Sequence, residues 1–256
     1  MNCRFQICLA GKIIEVESLF DTTRVFCRGY IVENRKPDIM VSISQEDIVG
    51  ERLRAEGSTR KQYIQYSDKY LETLALYRKV VQKLLQEDVL LIHASAVAVD
   101  GEGYLFAAKS GTGKSTHSKL WREFFGNRAV MINDDKPLLR ITQTGVLVCG
   151  TPWDGKHRLS TNIIIPLKAI CFLTRSQVNS VAPVDKGSVL PLLVQQCYAP
   201  DYQEDMHRTL SLIEKVTECS EFYQVFCNME TDAAKTIYEG IRSLHEDLAL
   251  NREDWM

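Results

Sequence analysis

The stretch that most constrains this chain is residues 99–116, Val99-Asp-Gly-Glu-Gly-Tyr-Leu-Phe-Ala-Ala-Lys-Ser-Gly-Thr-Gly-Lys-Ser-Thr116. Within it, Ala108-Lys-Ser-Gly-Thr-Gly-Lys114-Ser115 follows the phosphate-loop pattern G-x-x-x-x-G-K-[ST], with alanine in place of the first glycine. The residue types suit that chemistry. Gly111 and Gly113 let the backbone turn its N–H groups inward around phosphate oxygens. Lys114 can bridge the outer phosphates, and the Ser115 hydroxyl can ligate magnesium. Ser110, Thr112 and Thr116 complete the segment that would wrap a nucleotide. Gly103-Tyr-Leu-Phe-Ala-Ala reads as a short buried strand feeding the loop. Thr116-His-Ser-Lys-Leu-Trp-Arg-Glu-Phe-Phe reads as a helix whose N-terminal dipole faces the anion. The competing reading is a glycine-rich turn without a ligand.

A chain of 256 residues is one large domain, or one main domain with a small addition. A 45% hydrophobic content supports a sizeable core, and a net charge of −2 suggests neither a nucleic-acid nor a membrane partner. No run approaches 18 apolar residues, and the first residues lack the apolar core of a signal peptide, so a cytoplasmic location is expected. The eight cysteines are scattered without a C-x-x-C pair, which favours reduced thiols over disulfides or zinc.

Residues 1–66 carry short alternating runs: Arg4-Phe-Gln-Ile, Lys12-Ile-Ile-Glu-Val, Thr23-Arg-Val-Phe-Cys and Asp38-Ile-Met-Val-Ser-Ile. They predict a small β-rich lead-in, with a surface loop or frayed helix between Val49 and Gln65. The main domain then spans 67–256. Its first helix has Ser67 as N-cap and an apolar stripe at Tyr70, Leu74, Tyr77, Val81 and Leu84. Val89 to Val99 reads as a buried strand broken by His93 and Ser95. Asp100-Gly101 is a two-residue turn, which makes a β-hairpin directly before the phosphate loop. Ala129-Val-Met-Ile-Asn is a strand ending at Asp134-Asp135. A hairpin follows over 138–149, then a polar loop from Gly150 to Asn162, and then a strand from Ile163 to Arg175 interrupted at Pro166. Helices are expected over Ser188–Tyr198, Asp201–Thr217 and Asp232–Leu248, with a strand at Phe222–Cys227 between the last two.

Asp134 and Asp135 form the second candidate site. Acids at the end of a strand beside a phosphate loop can divide the work: one serves the metal, the other accepts a proton from an attacking hydroxyl. The alternative is a turn, for which Asp-Asp-Lys-Pro is well suited. His93 is either a satisfied core histidine or a neighbour tuning Asp134. The loop Trp153-Asp-Gly-Lys156-His-Arg158 is either a solvated turn or the lining of the acceptor end, with Lys156 near the transferring phosphoryl group. Arg175 reads equally as a phosphate or base contact and as a surface arginine.

Strand, Asp-Gly turn, strand, Ser110-Gly-Thr-Gly-Lys-Ser, helix, strand and Asp134-Asp135, taken together, resemble the HPr kinase/phosphorylase family and its relatives, the ATP-dependent phosphoenolpyruvate carboxykinases. The resemblance covers residues 89–175 and is nearest to small bacterial HPr-kinase-like proteins, some of which occur in peptide-modification pathways. It implies a mixed α/β sheet, partly curled, with a phosphate loop and helices packed on one side. It also implies nucleotide and metal contacts at Lys114 and Ser115, the base and metal contact at Asp134 and Asp135, and a site histidine at His93. The Arg-Gly-Leu-Gly segment of HPr kinases has no match here. The carboxykinases' arginines ahead of the phosphate loop have no assignable counterparts.

The expected protein is thus an ATP-dependent kinase using Mg2+, with a serine or other hydroxyl of a peptide, protein or small molecule as acceptor. Ser115 and Asp135 would hold the metal, Asp134 would be the base, and a homo-oligomer is compatible. The alternative is an ATP-binding regulatory or partner protein with little transfer. A GTPase-type switch is disfavoured by the lack of an Asn-Lys-x-Asp motif.

Overall fold

The computed structural model describes residues 3–57, 66–198, 200 and 203–253, with side chains described through residue 246. The chain divides into two compact units, Met1–Glu87 and Asp88–Met256.

In the first unit, β1 (Cys3–Leu9) and β2 (Lys12–Ser18) form a hairpin. Ala10 and Gly11, both at positive φ, make its tight turn. With β3 (Ile31–Val32) and β4 (Ile39–Ser42) they give a sheet of order β3-β1-β2-β4. Alternation places Phe5, Ile7, Leu9, Ile14 and Val16 inside. The expected strand at Thr23–Cys27 is instead helix α1 (Asp21–Phe26). The reason is tertiary: the buried Glu72 carboxylate accepts from the N–H groups of Leu19 and Phe20 and from the Thr23 hydroxyl, serving the donors at the helix start.

Helix α2 (Gln45–Gly57) occupies most of the polar stretch read as loop or frayed helix, whose remainder at 58–65 lies outside the described residues. Helix α3 (Asp68–Leu85) starts at Ser67, whose hydroxyl accepts from Tyr70 N–H at 3.3 Å. Of the stripe read in the sequence, Tyr77, Val81 and Leu84 are buried and Leu74 is half-buried, while the buried face is wider and departs from the stripe at its start. Tyr70 is exposed and Leu71, Leu76 and Val80 are buried, because the face carrying Glu72 must meet α1.

The second unit holds β5 (Val89–Leu91), β6 (Ser95–Val99), β7 (Glu102–Ala107), α4 (Lys114–Phe125), β8 (Ala129–Asn133), β9 (Leu138–Thr142), β10 (Gly145–Cys149) and β11 (Ile164–Arg175). After these come β12 (Ser180–Pro183), α5 (Lys186–Val194), α6 (Gln203–Cys219), β13 (Phe222–Cys227) and α7 (Asp232–Glu253). The sheet runs β5-β9-β10-β11-β7-β6-β8, and β13 pairs with both β11 and β12. β7, β11 and β13 are mutually parallel and the other pairs antiparallel, so the sheet is mixed. Its curl comes from β11, whose start pairs with β10 and whose remainder pairs with β7 and β13.

β11 runs through Pro166 without interruption. The proline sits where the strand changes neighbours, just before a bulge at Leu167–Ala169, a place that tolerates a missing N–H. The single strand expected over Val89–Val99 is two. Between them the amides of Ile92, His93 and Ala94 donate to Pro137 O, Gln196 O and Asp135 O as the chain passes from β9 to the β7–β8 side. β12, a four-residue, mostly exposed edge strand ending in proline, is too short to show a readable alternation.

Helices α4 and α7 pack on the β6–β7–β11–β13 region through Trp121, Phe125, Ile237 and Tyr238, which meet Tyr104 and Phe106. Helix α6 is set against β5, β9 and β10, so the helices form two groups. The eight cysteines are free, with Cys27, Cys149 and Cys171 buried. Among the described residues, no helix is long and apolar enough to cross a membrane.

Candidate active site at the β7–α4 loop

The Asp100-Gly101 turn, with φ of +52° and +82°, closes the β6–β7 hairpin as its sequence demands. β7 then delivers Ala108 to a loop that ends on α4. Gly111 and Gly113 lie at φ +81° and +126°. A Cβ at either would meet nothing within 4 Å, so the glycines answer a conformational need rather than a steric one. Gly113 is the N-cap of α4 and offers no side chain to the first-turn N–H groups, which leaves them for an anion. Arg175, at the end of β11, donates from Nε to Thr112 O at 2.9 Å and from Nη2 to Gly111 O at 2.5 Å. The arginine therefore holds the loop itself. Ser110 and Ser115 are exposed, and Thr112 and Thr116 half-buried.

Lys114 is buried, and its Nζ donates to Ala108 O at 2.9 Å. Burial lowers its pKa, and the charges of Asp135 and Asp134 work in the opposite sense. The ammonium therefore lies in the field of both carboxylates.

The two aspartates have different surroundings. Asp134 is buried, and its Oδ1 accepts from Ser95 Oγ at 2.9 Å. Ser95 Oγ is also 2.7 Å from Ser118 Oγ, on the second turn of α4, which ties the carboxylate to the helix carrying Lys114. Asp135 Oδ1 is 3.3 Å from His93 Nε2, and its Oδ2 pairs with Lys136 Nζ. Burial opposes ionisation of Asp135, but bonding by His93 and Lys136 outweighs it and brings the carboxyl down to about 2. His93 therefore contacts Asp135 rather than Asp134. The cause is the chain switch at Ile92–Ala94, which sets Ala94 N–H on Asp135 O.

Asn133, fully buried, organises this corner. Its Oδ1 accepts from the backbone N–H groups of Asp135 and Lys136 at 2.8 and 2.6 Å. Its Nδ2 donates to Thr151 O at 2.9 Å and Thr151 Oγ1 at 3.0 Å, clamping the loop after β10. An Asn two residues before a turn N–H is a recognisable Asx-turn signal, although the part played by Thr151 was not legible. Gly150 permits the close approach there: an added Cβ would lie 2.0 Å from Thr161 O.

The loop from Trp153 to Arg158 does reach the acidic pair. A Cβ on Gly155 would stand 3.2 Å from Asp135 Cβ. Trp153 is buried, though, so it is part of the scaffold and not an aromatic surface presented to an acceptor. Lys156, His157 and Arg158 are exposed, and Arg158 reaches Asp154 at 3.7 Å. Lys156 is not among the side chains that bond Asp134 or Asp135, which are Ser95 for the first and His93 and Lys136 for the second. Asp154 is buried and accepts from Ser160 Oγ at 2.9 Å. Burial raises its pKa, and Asp134 adds to the rise.

Residues 64–230, well over half of the chain, match the family described as SynChlorMet cassette protein ScmC. No curated protein matches. Among solved structures, the Hpr(Ser) kinase/phosphatase from Coxiella burnetii is similar at a TM-score of 0.37 and 8% identity, over 64% of this chain and 95% of that one. A likeness that low transfers no activity. The family match thus falls on ScmC and not on the HPr kinases that the motifs resemble. The chain belongs to the SynChlorMet cassette protein ScmC family.

Proposed function

We propose that the protein is an ATP-dependent phosphotransferase that moves the γ-phosphoryl group to a hydroxyl, of the serine type, on a peptide, protein or small molecule. The observation that carries this reading is Lys114, buried at the loop–helix junction in the field of Asp134 and Asp135. The uncapped start of α4 and the positive φ at Gly111 and Gly113 suit a polyphosphate. Among the described residues, no three His, Cys, Asp or Glu side chains gather as a metal site, so a cation here would also need phosphate oxygens.

In this reading, backbone N–H groups from Ser110 to Thr116 bind the β- and γ-phosphates and Lys114 bridges them. Ser115 and Asp135 would hold Mg2+, which when bound would neutralise charge on the phosphate oxygens. A carboxyl held ionised down to about pH 2 is suited to that task. His93 orients Asp135. The Asp134 carboxylate takes the acceptor's hydroxyl proton as the oxygen bonds to the γ-phosphorus. The bond to the β–γ bridging oxygen breaks, and ADP leaves with the electron pair. Lys156, next to Gly155, would move onto the equatorial oxygens only when substrates are bound.

The test is incubation with γ-labelled ATP, Mg2+ and a hydroxyl-bearing peptide and metabolite set, alongside calorimetry of Mg-ATP binding. Wild type should bind and transfer. Lys114→Ala should retain its circular dichroism and lose nearly all transfer. Binding without transfer to any acceptor would favour a nucleotide-binding regulator. Absence of nucleotide binding in wild type would refute the phosphate-loop assignment itself.

A further inference from the structure

We infer that Asp154 is a positioning residue of the proposed transfer: paired with Arg158, it holds the loop that presents Lys156 to the phosphoryl group. The inference rests on the phosphotransferase reading and adds a residue that the mechanism above does not use.

Both ends of the loop are fastened to the end of β8, the strand that leads into Asp134. On the entry side Asn133 Nδ2 donates to Thr151 O and, at 3.4 Å, to Trp153 O. On the exit side Ser160 forms a bridge with Asn133, and Thr161 N–H donates to Ile132 O at 3.1 Å. Asp154 joins the two sides, because its Oδ2 accepts from Ser160 Oγ at 2.9 Å. The residues between them project from a closed base, and the first of these, Gly155, stands against Asp135.

The other oxygen of this carboxylate lacks a donor. Asp154 Oδ1 is buried and accepts no hydrogen bond among the described residues, and a carboxylate oxygen withdrawn from water is costly in that state. Arg158 faces it, with Nη1 3.7 Å away on a side chain that is 63% exposed. That separation is an ion pair just beyond hydrogen-bond reach. Arg158 also holds φ at +52°, a left-handed conformation that a residue with a Cβ keeps only when its surroundings fix it, and Gly155 holds +72°. Lys156 is the middle residue of the five from Asp154 to Arg158, so the pair closes a short ring with Lys156 at its tip. Completing the bond from Arg158 satisfies Oδ1 and narrows the arc on which Lys156 can stand beside Asp135. A carboxylate that served the fold alone would need Ser160 and no cation on the far side of Lys156.

The test measures transfer of the γ-label from Mg-ATP, to water and to the acceptors of the assay above, with Mg-ATP affinity by calorimetry and the rate of trypsin cleavage after Lys156. Asp154→Asn keeps the shape and an oxygen for Ser160 and removes the charge. Arg158→Gln changes an exposed side chain, and Arg158→Lys keeps its charge. Asp154→Asn and Arg158→Gln should each lower transfer at saturating Mg-ATP by about tenfold, change Mg-ATP affinity by less than about twofold and speed the cleavage about fivefold. Arg158→Lys should stay within about threefold of wild type. The double variant should match either single one, since both break the same pair. In a Lys156→Ala background, Asp154→Asn should cost less than about twofold more. Losses that multiply in the double variant, an undiminished loss in the Lys156→Ala background, or transfer or cleavage unchanged by Asp154→Asn would overturn the positioning role and leave the phosphotransferase reading standing. Wild type passing the label to neither water nor any acceptor would overturn both readings.

Discussion

Asp134 and Asp135 are adjacent in sequence, yet their side chains join different networks, one through Ser95 to α4 and the other to His93 and Lys136. That difference separates their expected phenotypes. Asp134→Asn should slow transfer by roughly two to four powers of ten with Mg-ATP affinity nearly unchanged, whereas Asp135→Asn should weaken magnesium-dependent binding. Rapid-quench transfer assays and calorimetry with and without magnesium measure the two effects, and loss of metal-dependent binding in the Asp134 variant alone would reverse the roles. Asp135 also makes a stability prediction. Its folded pKa of about 2 lies below its ordinary 3.8, so its contribution is present above the ordinary value and is lost as pH falls toward 2. The span corresponds to about 2 kcal/mol. Urea unfolding at pH 5 and pH 2 should therefore show wild type losing about that much more than Asp135→Asn; equal losses would mean that His93 and Lys136 do not hold the carboxylate. The acidic pair itself was legible from its place after an apolar strand. The partner of His93 was not, because it depends on a turn of the chain between two strands that the sequence presents as one apolar run.

Among the elements, those set by local chemistry are the ones that the sequence announced. The Asp100-Gly101 hairpin, the glycine loop, the hairpin across Gln143–Thr144 and the Ser67 cap all follow from residue types with a particular backbone preference. An element decided by a distant side chain departs from its local reading: α1 takes its form from Glu72, whereas the α3 stripe holds at Tyr77, Val81 and Leu84 and fails only at its first turn. Asn133 shows how one residue couples elements, since it bonds the turn after β8 and the loop after β10 at once. Asn133→Ala removes both partners of buried groups. It should cost about 2–4 kcal/mol in denaturant unfolding and lower transfer even where the protein remains folded. Thr151→Val, which keeps the shape and removes the Oγ1 contact to Asn133 and the 2.8 Å bond to Lys136 O but leaves both Asn133 acceptor bonds to the turn, should cost about 1–2 kcal/mol. A loss in Asn133→Ala no larger than in Thr151→Val would mean that the Asp135–Lys136 turn holds without its acceptor.

For the molecule as a whole, the division falls after Glu87, so α3 is grouped with the N-terminal sheet. An amphipathic stripe shows that a helix is docked but not on which core, which is why residue 67 was the natural boundary in the sequence. The second unit contains every residue of the proposed site, from His93 to Lys156, and a core from Val97 to Ile241 built around Trp121 and Tyr104. Its first strand is secured internally: Ile141 N–H donates to Asp88 O at 2.9 Å, and Arg208 pairs with the Asp88 carboxylate at 2.8 Å. A fragment of residues 88–256 is therefore expected to unfold in a single cooperative transition and to bind Mg-ATP within about threefold of the full chain, a difference under 1 kcal/mol. Calorimetric titration and urea unfolding of the two proteins side by side give both quantities. If the fragment binds nucleotide but transfers poorly, the N-terminal unit serves the acceptor and not the donor. A fragment with native-like secondary structure that binds the dye ANS and no nucleotide would show that this core needs the N-terminal unit to pack, and the independence of the second unit would be lost.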